Sequence, residues 1–492
     1  MKVRFDHETE LIFSCLVNQK EESQQVYLVG GIVRDILLHK PIHDIDISYT
    51  GNVKQFAKNV ADTLGAKFFM LNEEFQTARI IYQTKDNIKR WIDVVATREK
   101  NIKQDLYLRD FTVNSIAINL LDRNKIIDPF GGALDLQRKI LTVTNPNSMV
   151  DDPVRILRGI RLAVQFGWRI SSETIQLIKN AAGLLNLVTN ERKRDELFKI
   201  LDLPNPAIAI KILIQLNLLK FCLPGLIEED EFQRLNNFKG KIFDNTIRNI
   251  EKFVEYEELI IKRKKFDAAV DIFQANTLIN LGGFREDLSN YLQTRIHEDR
   301  NFRSLSILGF LYFDLLTQNI ETCSNKNNLT DELTNLFNNK RATIKDLVLT
   351  KNEEKWLYLF LENSLLIDQF VTRRTEITPV FAYEFFNKTK NSGIGICLFS
   401  FARNLRNNKY SHANLEWESY LETVRFLVDA YFRHFDEWIN PTTFLNGHDV
   451  MNICRVKDGK VIGKILDEIK IKIIVKELNN RQQVVDYLKK KY

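Results

Sequence analysis

The spacing of apolar and polar positions changes once along this chain, near residue 150. Before it, short segments alternate. Val26-Tyr27-Leu28-Val29 is an apolar run closed by Gly30-Gly31, the pattern of a strand entering a tight turn. Residues 33–38 then have helical spacing, and Asp44-Ile45-Asp46-Ile47 alternates polar and apolar as a half-buried strand does. Residues 67–71, 78–82 and 90–95 read as further strands of the same small sheet. From Asp151 onward the segments are long and helical, and glycine and proline are sparse, with nine prolines in the whole chain. Residues 236–281 and 311–366 carry charge-rich amphipathic stretches, and the polar residues 324–328 mark a loop. The expected fold class is α+β: a small mixed-sheet head (1–145), a helical neck (146–225), and a large all-helical body and tail (226–492).

Composition narrows the class without naming a function. At 492 residues the chain is too long for one core, and 44% apolar with 27% charged residues excludes wholesale disorder. The net charge of +6, from 70 basic and 64 acidic residues, permits a polyanionic partner without demanding one. Cys15, Cys222, Cys323, Cys397 and Cys454 are scattered and form no CxxC pair, which argues against a disulfide framework or a zinc knuckle. Acidic residues interrupt the N-terminal MKVRFDHETELIFSCL where a signal peptide needs an apolar core. No apolar run reaches the ~18 residues of a membrane span. The expectation is a cytoplasmic protein with no membrane partner.

The chemistry gathers in the head. Asp44 and Asp46 lie two apart on a strand, so their side chains share a face at ~6.5 Å spacing. Asp93, in Trp91-Ile-Asp-Val-Val95, sits on another strand of that sheet. Three such carboxylates suit a pair of Mg²⁺ ions that activates a ribose 3′-hydroxyl and neutralises departing pyrophosphate. An acidic pair alone is more often solvated surface, and Gly-Gly after a strand is more often a plain turn. Their succession is the informative feature: Gly30-Gly31 opens a helix bearing Arg34, and backbone amides at such a turn can approach phosphates.

Taken together, Val29-Gly-Gly-Ile-Val-Arg-Asp-Ile-Leu-Leu followed by Asp44-Ile-Asp resembles the opening motif of class II tRNA nucleotidyltransferases (CCA-adding enzymes) and bacterial poly(A) polymerases. The resemblance continues through Arg109-Asp110-Phe-Thr-Val-Asn114, Asp128-Pro-Phe-Gly-Gly132 with Asp135, Asp151-Asp-Pro-Val-Arg155-Ile-Leu-Arg158-Gly-Ile-Arg161, and Glu191-Arg192 to Glu196-Leu197. It covers about the first 225 residues. It implies Asp44 and Asp46 as metal ligands, Asp93 as supporting carboxylate, and Gly31 and Arg34 on nucleotide phosphates. Asp110 would bond the ribose 2′-hydroxyl with Arg109 beside it, and Gly30 and Asn114 join the nucleotide-contacting set. Asp152 and Arg155 would read the incoming base, while Arg158 and Arg161 hold the triphosphate. A plainer reading makes residues 151–165 an amphipathic helix with a solvated basic face. An Asp–Arg reading pair has a chemical basis: a carboxylate only accepts and a guanidinium only donates. Cytosine and adenine each present an amino donor beside a ring-nitrogen acceptor, and uracil and guanine reverse that order.

The implied activity is template-independent addition of CCA nucleotides to tRNA from CTP and ATP with Mg²⁺. The rivals are a poly(A) polymerase, a catalytically inactive RNA-binding protein and a small-molecule nucleotidyltransferase. Two departures refine it. Leu108 stands where the family usually has a first arginine before Arg-Asp. Only ten residues, Glu99 to Leu108, separate Arg98 from Arg109, too few for the mobile loop of full CCA-adding members. The expectation is a CC-adding subtype, with a separate A-adding enzyme completing the end. Outside the motifs, residues 262–265, 403–409 and 489–491 are basic clusters suited to RNA or to plain solvation. His448-Asp449 resembles a fragment of a phosphohydrolase metal motif without its partners, and residues 443–466 loosely resemble the tail of long family members.

Overall fold

A computed structural model describes residues 5–42, 44–84, 87–223, 241–261, 272–297, 300–317, 335, 344–406 and 415–492. The chain forms two compact units, Met1–Glu196 and Leu197–Tyr492.

The first unit is built on a mixed seven-stranded sheet. Its strands are β1 (Val26–Val29), β2 (Asp44–Tyr49), β3 (Lys67–Asn72), β4 (Thr77–Gln83), β5 (Lys89–Ala96), β6 (Ala117–Asn119) and β7 (Ile126–Ile127), in the order β3-β4-β5-β2-β1-β6-β7. Only β2 and β5 run parallel, with Asp46 opposite Asp93. Strict alternation makes the two faces unlike. Ile45, Ile47, Ala78, Ile80, Ile92 and Val94 are fully buried on one face, where helix Val53–Leu64 presents Val53, Phe56, Ala57 and Val60. The other face carries the acidic residues.

Helix α1 (His7–Asn18) precedes the sheet, α2 (Gly31–Leu37) follows β1, α3 is the Val53–Leu64 helix, and α4 (Ile102–Tyr107) follows β5. Next come α5 (Gly132–Arg138), α6 (Ser148–Asp151), α7 (Arg155–Phe166), α8 (Ser172–Ala181) and α9 (Asn190–Leu201), which crosses into the second unit. The Asp-Pro-Phe-Gly-Gly segment is architectural. Asp128 accepts from the amides of Gly132 (2.8 Å) and Ala133 (2.9 Å) to start α5. A Cβ on Gly132 would fall 2.0 Å from the Thr112 carbonyl oxygen, so no other residue fits there.

The continuous helix expected over residues 151–165 is broken. Asp152 ends α6 in an extended conformation (φ −149°, ψ 93°), and α7 starts only at Arg155. Pro153 explains the break, since proline pushes its predecessor out of the helical region.

The second unit is almost wholly helical; a short ladder, Arg295–His297 with Arg300–Asn301, is its strand content among the described residues. Aromatic side chains from four helices form its centre: Phe310 stands 5.2 Å from Phe253, 6.0 Å from Phe360 and 4.9 Å from Phe399 between ring centroids. Glu353 closes the capping box of helix Lys351–Asn363 and takes a buried pair from Arg300 at 2.6 Å. The last three helices, Gly447–Cys454, Gly459–Ile474 and Arg481–Lys491, pack on their own small core of Leu445, Val450, Ile465, Ile469, Val484 and Leu488. The loop expected at 324–328 lies outside the described residues.

Candidate active site

The acidic face of the head sheet brings Asp44, Asp46 and Asp93 onto adjacent strands. Burial raises the Asp46 pKa first of all; Arg109 pulls it down, and Asp93 and Asp44 push it up again. Asp93, opposite Asp46, has a partner of its own. Its carboxylate is held in a bidentate pair by Arg79, Nε to Oδ1 at 2.7 Å and Nη2 to Oδ2 at 2.8 Å. The cause is register, because Arg79 stands directly opposite Asp93 on β4. Accordingly, no three His, Cys, Asp or Glu side chains converge on a metal position among the described residues. Two carboxylates are still an adequate protein contribution for Mg²⁺, which commonly takes its other ligands from substrate phosphates and water. Asp44 and Asp46 fit that pattern, and the raised Asp46 pKa describes a carboxylate that a cation would stabilise.

Above Asp46 the chain turns at Gly30, whose φ of +75° and ψ of −137° strain any side-chain-bearing residue. A Cβ there would sit 3.2 Å from Arg109 Nη1 and 3.3 Å from Asp46 Oδ2. The missing side chain is what lets Arg109 and Asp46 share one small space. Arg109 is fixed from behind by Asp105, whose Oδ2 accepts from Nε (3.2 Å) and Nη2 (3.0 Å). Arg34 is committed locally: it donates to Asp35 (2.9 Å) and to Asn114 Oδ1 (2.9 Å), and it stacks on Phe166. Asn114 is buried and donates in turn to Asp110 Oδ1 at 3.1 Å. Its visible work is to join Arg34 to Asp110. Asp110 also accepts from the Phe111 amide (2.8 Å), and Arg158 Nε lies 2.8 Å from its Oδ2 in an ion contact without an aligned hydrogen bond. That neighbour raises the Arg158 pKa.

Around the α6–α7 break, Asp152 Oδ2 accepts from Arg192 Nη2 at 2.9 Å and stands 4.0 Å from Arg155 Nε. Its Oδ1 is buried without a hydrogen-bond partner. Arg155 reaches main-chain oxygens instead, donating from Nη2 to the Leu108 carbonyl (3.0 Å) and from Nη1 to the Ser148 carbonyl (3.3 Å) and hydroxyl (3.1 Å). Burial lowers its pKa. Arg161 stands apart from this group, occupied by Glu196 at 2.9 Å and Gln165 at 3.2 Å.

The other sequence features divide plainly. Residues 262–265 and 407–409 lie outside the described residues, while Arg403 of the middle cluster is spent on Asp368 at 2.9 Å. Asp449 of His448-Asp449 closes the capping box that begins helix Gly447–Cys454. Sequence reading missed Arg79 and Asp105. The second had a signal, an Asp four residues before Arg109 on one helical stretch; the first needed the β4–β5 register. No helix among the described residues is long and apolar enough to cross a membrane.

The mixed sheet thus sets a carboxylate pair beneath a Gly-Gly turn with an arginine at its side. Comparison with known proteins adds a family likeness. Residues 26–142 match the poly A polymerase head domain, and residues 167–229 match the family described as the probable RNA and SrmB-binding site of polymerase A. Residues 26–142 are thus similar to the heads of that family. A CC-adding tRNA nucleotidyltransferase of Geobacter sulfurreducens is 37% identical over 179 residues, 36% of this chain and 41% of the relative. The A-adding tRNA nucleotidyltransferase of the same organism is 38% identical over 220 residues, 41% of this chain and 24% of the relative. A CCA-adding enzyme of Limosilactobacillus reuteri is 34% identical over 216 residues, 42% of this chain and 53% of the relative. The chain thus spans about half or less of the length of these curated relatives. In fold it is similar to a CCA-adding enzyme in apo form (TM-score 0.62, 22% identity, 99% of this chain and 94% of the other). It is likewise similar to the Thermotoga maritima CCA-adding enzyme complexed with tRNA (TM-score 0.57, 24% identity, 99% and 96%).

Proposed function

We propose that this chain is a template-independent tRNA nucleotidyltransferase of the cytoplasm, adding nucleotides of the 3′ CCA end from CTP and ATP. The observation that carries the reading is the shared space of Arg109 and Asp46 under the side-chain-free Gly30 turn, with Asp44 two residues along the strand. Asp44 and Asp46 would hold Mg²⁺, which supplies activation of the RNA 3′-hydroxyl and neutralisation of pyrophosphate. The Gly30-Gly31 backbone and Arg109 face the phosphates, and Arg158, on the edge of Asp110, is the nearer of the two α7 arginines for the triphosphate tail. Asp110 meets the ribose 2′-hydroxyl through the Oδ2 edge that Arg158 now occupies. Asp152 offers its unpartnered Oδ1 to the amino group of cytosine or adenine, with Arg155 held beside it as the donor. In this reading residues 1–145 are the catalytic head, 146–225 the base-reading neck, and 226–492 the part that grips tRNA.

A second, finer reading follows from the segment before Arg109. Residues 102–107 form α4, capped by the Asn101 side chain on the Lys103 amide at 3.0 Å, with Asp105 and Leu106 buried. That packing leaves no free lever for a switch from CTP to ATP, which favours a CC-adding enzyme followed by a separate A-adding one. The test is incubation of the purified protein with tRNAs lacking one, two or three terminal nucleotides, with each NTP in turn and with CTP and ATP together. The expected product from tRNA ending at the discriminator base is two nucleotides longer. Efficient A addition to tRNA ending in CC overturns the CC-adding reading alone. Unlimited extension by ATP makes the chain a poly(A) polymerase, and no incorporation on any tRNA overturns the parent proposal.

A further inference from the structure

The acidic face of the head sheet does not end at the carboxylates. Register across β2, β5, β4 and β3 defines two rows of side chains on that face. One runs Asp46, Asp93, Arg79, Phe69; the other runs Asp44, Trp91, Ile81, Lys67. Phe69 is 49% exposed, Leu71 52% and Trp91 40%, whereas Ile80 and Ile92 on the opposite face are fully buried. An open face with two large aromatics beside a carboxylate pair is an unusual use of surface on a soluble domain.

We propose that this face, from Asp44 outward over Trp91 and Phe69, is a stacking platform for the single-stranded 3′-terminal nucleotides of the RNA being extended. The inference rests on the functional reading above. If the reacting 3′-hydroxyl lies at Asp44 and Asp46, the bases behind it must cross the adjoining surface. Trp91 is one strand from Asp44, ~5 Å, and Phe69 is two strands beyond Trp91, ~10 Å further. Aromatic rings on a sheet face accept any base by its π-surface, and cations between them attract the connecting phosphates. Lys67 supplies such a cation at the outer end of the second row, while Arg79 in the first is paired with Asp93. The charge order, acidic at the reaction end and basic further out, matches an RNA whose last residue meets metal and whose earlier phosphates meet protein.

The experiment compares the full chain with Trp91→Ala, Trp91→Phe and Phe69→Ala, using Ile88→Ala as an exposed control off these rows. It measures KM for tRNA and for CTP, and separately the quenching of tryptophan fluorescence by a short single-stranded RNA. The wild-type minus Trp91→Phe difference isolates the Trp91 signal. Trp91→Ala and Phe69→Ala should each raise the RNA KM by roughly tenfold, the size of one base–aromatic stack. The CTP KM should stay within about twofold, as should both constants for Ile88→Ala. Trp91→Phe should keep most of the affinity, and RNA should quench Trp91. Unchanged RNA KM in both alanine variants overturns the proposal, as does a Trp91 signal that follows protein concentration in place of RNA. Because quenching needs no catalysis, RNA binding at Trp91 in a chain that adds no nucleotide would support the platform while refuting the function.

Discussion

Gly30→Ala separates the two things a glycine does at this turn. Gly30 has φ +75° and ψ −137°, a region that costs a side-chain-bearing residue about 1–3 kcal/mol. Gly65, the cap of α3, has φ +64° and ψ +32°, where the penalty is about 1–2 kcal/mol. Backbone strain alone therefore predicts comparable losses of stability for Gly30→Ala and Gly65→Ala, on the order of 2–4 °C in Tm per kcal/mol for a unit of this size. Their surroundings differ completely. A Cβ at Gly65 meets nothing within 4 Å, whereas one at Gly30 stands 3.2 Å from Arg109 Nη1 and 3.3 Å from Asp46 Oδ2. Both neighbours must give by tenths of an ångström, and Arg109 cannot retreat freely because Asp105 holds two of its nitrogens. Misplacement by about 1 Å at reacting groups costs ~10²-fold in rate, and tenths of an ångström correspondingly less, on the order of tenfold. Thermal melts and single-turnover CTP incorporation, run well below both melting temperatures, should show similar Tm losses but a loss of roughly tenfold in rate for Gly30→Ala only. Equal rates in the two variants would refute the idea that this turn shapes the catalytic space.

Asp44→Asn and Asp46→Asn should each lower nucleotide incorporation by about 10²–10³-fold. Asp46→Asn should also leave Tm unchanged or higher, since burial and two like charges disfavour its carboxylate in the metal-free fold; near-normal turnover in either variant refutes the metal assignment. Asp152→Ala should relax discrimination against UTP and GTP more than it weakens CTP binding, as measured by kcat/KM for the four NTPs, and a uniform loss across all four would move Asp152 to the phosphate site.

The head was legible where one strand or one turn decides the outcome. Five strands follow from short apolar or alternating runs, and the Gly30 turn follows from an apolar run meeting two glycines. What escaped were pairings between distant segments. Asp93 reads as a supporting carboxylate beside Asp44 and Asp46, but not as the partner of Arg79, 14 residues away across the register. Arg161 reads as a holder of the triphosphate, while its pairing with Glu196, 35 residues on, leaves no trace in local pattern. The helix break at Asp152 is a different case, since Pro153 was in plain view and proline sets its predecessor's backbone directly. An apolar period running through it at Val154 and Leu157 outweighed the proline in the sequence reading, although the proline decides the structure.

The departure from Arg-Arg-Asp at Leu108 looks damaging in sequence but is mild in structure. What position 108 supplies is its carbonyl, which accepts from Arg155 Nη2 at 3.0 Å and from Arg98 Nη1 at 3.5 Å. A main-chain acceptor is indifferent to the side chain it carries. Tyr107 likewise offers its carbonyl to Asn145 at 2.7 Å, and Asp110 offers its own to the Ser148 hydroxyl at 3.1 Å. One residue further, Arg109, anchored by Asp105, pulls the Asp46 pKa down. The stretch from Asp105 to Asp110 thus fastens the carboxylate face on one side and the proposed base-reading residues on the other. If Asp152 and Arg155 read the base as proposed, selectivity and catalysis are tied through this one short helix and the turn that follows it. Its packing, more than its length, would then govern any resetting of the pair.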